Sequence, residues 1–114
     1  MTVLVVDDDA DTRDALKMAL ELHSCSVVTA ANGVEALRAV RADPPDLVLL
    51  DLMMPVMSGA EFVEELRKEE RFRELPVVIL SAWPQDAREV NGVQGFLSKP
   101  TTIGSVLEVV GRYD

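Results

Sequence analysis

Three aspartates stand side by side at the end of an apolar run in VLVVDDDADTR, Val3 to Arg13. Two unit charges about 4 Å apart repel by roughly 1 kcal/mol in bulk water and several times that near a protein surface, so the cluster needs a counter-ion or a use. A solvated turn with a helix cap is the bland alternative. Three more polar residues close other short runs: Asp51 after LVLL, Ser81 after VVIL and Lys99 after GFLS. If the chain brings Asp7 and Asp8 up to Asp51, three carboxylates form a hard-oxygen site. Magnesium is the hard cation usually held by one or two carboxylates plus a phosphate. The lone histidine, His23, removes the usual His-based zinc and triad sites from consideration.

Something must hold these residues in place, and the apolar pattern says what. Val3-Leu4-Val5-Val6, Leu47-Val48-Leu49-Leu50 and Val77-Val78-Ile79-Leu80 are continuous apolar runs, the mark of parallel strands covered on both faces. Weaker strands are expected at Val27 to Ala30 and Gly95 to Ser98. Between them, Ala15/Leu16/Ala19/Leu20, Phe62/Val63/Leu66 and Ile103/Val106/Leu107/Val110 follow helical spacing with one buried stripe. Asn32-Gly33 and Asp43-Pro44-Pro45-Asp46 read as turns. Five βα units result, an α/β fold with helices on both faces of a doubly wound parallel sheet. In such sheets function collects just past the carboxyl ends of the strands, where all the polar residues named above fall. With the flavodoxin-like order 2-1-3-4-5, strands one and three are neighbours, and Asp7 and Asp8 face Asp51.

Composition limits the alternatives. One domain of 114 residues with a hydrophobic fraction of 48% is long enough to bury a core. A formal net charge of -9 argues against direct nucleic-acid binding. The single cysteine, Cys25, forms no internal disulfide, the start MTVLVVDDD lacks the features of a signal peptide, and no apolar run approaches a membrane span. The expectation is a cytoplasmic protein that neither spans nor binds a membrane.

The ordered set VVDDD, DLVLLDLMMPVMSG, VVILSA and GFLSKP resembles the receiver domains of response regulators in two-component signalling, over essentially the whole chain, residues 1–114. The resemblance implies that Asp51 is the phosphoacceptor, Asp8 a direct Mg2+ ligand, and Asp7 a ligand acting mainly through water. The main-chain carbonyl of Met53 would complete the metal contacts, and Mn2+ is an alternative ion. Lys99 and Ser81 would serve the phosphoryl group, with Ser81 and the strand-five aromatic Phe96 acting as the switch. The implied function is a phosphorylation-dependent signalling switch charged by a histidine kinase or histidine phosphotransfer protein and read by a downstream protein. It would be no turnover enzyme, catalysing only its own phosphorylation and slow dephosphorylation.

Each residue also has a plainer role to weigh. Asp9 or Asp11 is expected to cap the first helix. Met53, Met54 and Met57 read individually as packing residues, and His23 as a surface residue favoured by the helix dipole. A haloacid-dehalogenase-like phosphatase would need a second acid two residues after its nucleophile, where this chain has Met53. A flavodoxin-like carrier would bring an anionic flavin phosphate against DDDADTR. The alternative that stays open is a degenerate receiver acting as a phosphorylation-independent interaction module.

Two departures from the family pattern stand out. The segment AWPQDAREVNGVQG, between Ser81 and Phe96, is about one helical turn, roughly four residues, shorter than usual, so the fourth helix is expected to be shortened. Pro84 would start it and Asn91-Gly92 end it. Thr101 follows Pro100 where the family usually has Phe. Any homodimer is therefore expected to use a non-standard interface. Met53 and Trp83, two residues beyond Asp51 and Ser81, are large and mostly apolar; the receiver resemblance implies that they overhang the phosphoryl group, where they would screen it from water, the alternative being that Trp83 points outward as a partner-binding aromatic.

Overall fold

The computed structural model describes residues 1–52, 54, 56–81, 90, 92–98 and 102–113. Five strands, β1 (Thr2–Val6), β2 (Ser26–Ala30), β3 (Leu47–Asp51), β4 (Val77–Ser81) and β5 (Gly95–Ser98), form one parallel sheet in the order β2-β1-β3-β4-β5. Helices α1 (Ala10–Leu22), α2 (Gly33–Ala42), α3 (Gly59–Lys68) and α4 (Ile103–Gly111) lie between and after them, with a 3-10 turn at Glu70–Phe72. The flavodoxin-like order expected for the fold class is the order found. The shortened helix expected between β4 and β5 falls largely on residues 82–89 and 91, outside the described residues.

The burial pattern explains the layering. β3 and β4 are buried at every residue, as continuous Val/Leu/Ile runs require when helices cover both faces. The edge strands β2 and β5 are only partly buried, which is why their apolar signal is weaker. Alternate side chains of the central strands feed two cores. Leu4, Val6, Val48, Leu50, Val77 and Ile79 pack with α2 and α3, including Leu37, Val40, Phe62 and Leu66. Val3, Val5, Leu47, Leu49, Val78 and Leu80 pack with Leu16 and Leu20 of α1 and Val106 and Val110 of α4. Leu16 and Leu20, Phe62, Val63 and Leu66, and Val106 and Val110 are buried as the helical spacing predicts, whereas Ala15 and Ile103, expected in the same stripes, are exposed.

Helix caps refine two expectations. Asp9, rather than Asp11, is the N-cap of α1: its carboxylate accepts from the Asp11 amide at 3.2 Å and from the Thr12 hydroxyl at 2.7 Å. Asp11 lies in the first helical turn, where a negative charge favours the positive end of the dipole. The turn expected at Asn32-Gly33 is instead a helix start. The Asn32 side chain accepts from the Glu35 amide at 2.9 Å, and Gly33 is the first residue of α2. Glycine is required there by close approach, since a Cβ would lie 2.6 Å from Met57 Cγ. His23 caps the other end of α1 in an exposed position, its Nδ1 3.0 Å from the Ala19 carbonyl oxygen.

Candidate functional site

Strand register brings the acids together. Val6 pairs with Leu50, so Asp7, the next residue, stands level with Asp51, the last residue of β3. Odd-numbered residues of both strands share one face, Val3 and Val5 with Leu47 and Leu49, and the alternation carries Asp7 and Asp51 to that side together. One carboxylate oxygen from each of Asp7, Asp8 and Asp51 lies within 4.8 Å of the others. Asp7 and Asp51 are buried and Asp8 is exposed, so the cluster opens to solvent through Asp8. Ser81 is the buried last residue of β4, the next strand along the same edge of the sheet. Phe96 lies on β5 opposite Ile79 and is partly exposed. Met53, Trp83 and Lys99, also named from the sequence, lie outside the described residues.

The loop after β1 is held by its own hydrogen bonds. The Asp7 amide donates to the Ala30 carbonyl at 3.1 Å, extending the ladder with β2 by one step. One Asp7 carboxylate oxygen accepts from the Asp9 amide at 2.9 Å. With Asp9 committed to capping α1, the first and second acids of the triplet face the site and the third anchors the helix.

The loop after β3 is fixed at two points. Ser58 and Glu61 form a capping box at the start of α3, and the Gly59 amide donates to the Leu52 carbonyl at 3.0 Å. A Cβ at Gly59 would lie 2.7 Å from the Asp51 carbonyl oxygen and 2.8 Å from Leu52 Cα, so α3 starts directly against the backbone of Asp51. Met57, seated against Gly33, is the second anchor, and both it and Met54 pack on the α2–α3 core. Just before Met57, exposed Val56 has φ 71°, a left-handed conformation that a β-branched residue adopts only under strain. A conformation of that kind costs of order 1–3 kcal/mol.

The donor set fits a small hard cation. All three candidate donors are carboxylate oxygens, two of them buried at strand ends and the third facing water, as would suit an ion that keeps part of its hydration. Residues that carry weight here without a legible sequence signal are Gly33, which reads as a turn, and Arg13. The latter donates from Nη1 to the Asp7 carbonyl at 2.6 Å.

A doubly wound α/β sheet with an acidic, hard-oxygen cluster at the carboxyl ends of β1 and β3 sets a candidate cation site at the switch point where such sheets bind their ligands. The model of the response regulator receiver domain matches residues 3–111, and the chain belongs to that family. It is 35% identical to the response regulator GtcR of Aneurinibacillus migulanus over 97% of this chain and 45% of that protein. It is 39% identical to the hybrid signal transduction histidine kinase D of Dictyostelium discoideum over 86% of this chain, only 6% of the kinase. Against these two relatives the chain therefore spans less than half their length. The solved structure of the chemotaxis response regulator CheY4 of Vibrio cholerae superposes with a TM-score of 0.90 at 30% identity, covering 99% of this chain and 98% of that one. The family is one of signalling domains in two-component systems rather than of metabolic enzymes. Among the described residues, no helix is long and apolar enough to cross a membrane.

Proposed function

We propose that the whole chain, residues 1–114, is a phosphorylation-dependent switch acting in the cytoplasm, with Asp51 accepting a phosphoryl group from a histidine kinase or histidine phosphotransfer protein. The observation that supports this most directly is the meeting of Asp7, Asp8 and Asp51 within 4.8 Å at the end of β3. Asp7, Asp8, Asp51 and the Met53 carbonyl would hold Mg2+, or Mn2+ in its place. When bound, the cation supplies the positive charge that offsets nucleophile and phosphoryl group together.

The chain's own residues then do little covalent work, as phosphoryl transfer requires. An Asp51 carboxylate oxygen forms the bond to phosphorus, and the bond from phosphorus to the donor breaks, its electron pair leaving with the donor. Lys99 adds a second positive charge against the phosphoryl oxygens, and the Ser81 hydroxyl donates to one of them. That last contact exists only in the phosphorylated state. A contact made in one state alone is what shifts a two-state equilibrium, here carried to Phe96 on β5 and so to a downstream protein.

The test is intact-mass spectrometry of the chain incubated with acetyl phosphate. One phosphoryl group should be gained in the presence of Mg2+ and none after chelation. No gain by a folded chain that binds Mg2+ would favour the phosphorylation-independent interaction module.

Screening of the phosphoryl group by Met53 and Trp83 belongs to the same reading. Neither can act as a base for an in-line water, so the phosphorylated state should be long-lived. Met53→Asn and Trp83→Glu should each speed dephosphorylation by more than about twofold, a barrier change of roughly 0.4 kcal/mol or more. Decay rates unchanged in both variants and in their combination would remove the two residues from this role.

A further inference from the structure

Arg13 closes the stretch that begins with the triple aspartate, and nothing in the switch described above uses it. It is half-buried on the first turns of α1, and its Nη1 donates to the Asp7 carbonyl at 2.6 Å. That carbonyl belongs to the peptide unit joining Asp7 to Asp8. Its plane therefore determines where the chain enters Asp8, the exposed ligand of the cluster. Asp7 itself is held on both other sides, by its amide on Ala30 and by its carboxylate on the Asp9 amide. Among the described residues Asp8 has no such framing of its own: its direction follows from the peptide plane before it and the helix cap after it.

We infer that Arg13 is a positioning residue for the cation site, locking the Asp7–Asp8 peptide so that the Asp8 carboxylate is turned toward Asp7 and Asp51 before the ion arrives. The inference rests on the reading of that cluster as the divalent-cation site. A charge-assisted hydrogen bond from a guanidinium is stronger than a neutral one and holds a carbonyl in a fixed direction. Groups that orient metal ligands from behind typically change metal affinity by about 10–100-fold when removed.

The sign of the effect separates positioning from charge. A cation beside the cluster repels a second cation, so if Arg13 acted only through its charge, removing it would tighten Mg2+ binding. If it acts by fixing the peptide, removing it loosens binding. A purely structural part would lower the melting temperature of the metal-free chain and leave the Mg2+ dissociation constant unchanged.

The experiment is calorimetric titration of MgCl2 into the full chain, with amide exchange of Asp8 and Asp9 followed in the metal-free protein. Arg13→Met, which keeps the length and removes the donor, should weaken binding about tenfold and speed exchange at Asp8. Arg13→Lys, which can still donate to the carbonyl, should remain folded and recover affinity to within about twofold of wild type. An Arg13→Met chain that binds Mg2+ as tightly as wild type or more tightly overturns the inference, as does an Arg13→Lys chain as weak as Arg13→Met. A wild-type chain without affinity for Mg2+ would overturn the reading of the cluster, and this inference with it.

Discussion

Asp51→Ala should abolish phosphoryl transfer from acetyl phosphate altogether, although Asp7, Asp8 and Asp9 remain within the same acidic neighbourhood. Asp9 caps α1 through the Asp11 amide and the Thr12 hydroxyl, and Asp7 accepts from the Asp9 amide, so both are engaged in holding the loop. Asp8 is exposed and, in the proposed arrangement, directed at the cation. Asp51 alone combines a buried strand end with a place between the acids of β1 and the hydroxyl at the end of β4. Loss of an attacking group has no partial substitute, so labelling should fall below detection. Asp51→Asn should give the same loss while keeping the side-chain shape, and should also reduce the rise in melting temperature caused by Mg2+, because one of the three anionic ligands has become neutral. Mass spectrometry showing undiminished labelling of either variant would place the acceptor elsewhere.

The site was legible in the sequence to the extent that strands determine it. Continuous apolar runs mark buried parallel strands, a run's end marks the carboxyl edge, and a polar residue there faces the crevice whatever the helices do. The strand-end places of Asp7, Asp51 and Ser81 were readable on that ground. The helix boundaries were less so, because Asn-Gly serves equally as a turn and as a cap followed by a small first residue. Only the seat taken by Met57 explains why residue 33 has no side chain. Arg13 and Arg67 were not legible at all. Each donates to main-chain carbonyls, and a carbonyl leaves no trace in a sequence. In RKEERFREL an arginine reads as part of a solvated, mixed-charge face.

At Arg67 the hydrogen bonds show more than a charge on a helix face, and substitution there should carry a large cost in stability. Its guanidinium donates from Nη1 to the Phe72 carbonyl, from Nη2 to the Leu75 carbonyl at 2.8 Å, and from Nε to the Gly92 carbonyl at 3.0 Å. The Gln94 side-chain oxygen, which accepts from the Val77 amide at 2.7 Å, lies 3.4 Å from Nη2. One side chain therefore ties the end of α3, the approach to β4 and the entry into β5. Burial lowers the pKa of this guanidinium from its ordinary value, because part of its hydration is lost. Gly92 fits the arrangement with φ 81°, and a Cβ there would come 3.4 Å from Arg67 Nε. Arg67→Met should cost about 2–3 kcal/mol, because carbonyls in part-buried positions lose their donor together; water can reach Gly92 and keeps the figure from being larger. For a domain of this size the melting temperature should drop by about 10 °C or more. Arg67→Lys should recover little of it, since a single ammonium cannot span carbonyls that a planar fork reaches at once. The loss should also be uneven: amides of β5, which carries Phe96, should gain more exchange than those of β1, which Arg67 does not touch. A melting temperature within about 2 °C of wild type for Arg67→Met, under roughly 0.5 kcal/mol, would show that Arg67 is the solvated surface residue its sequence suggests.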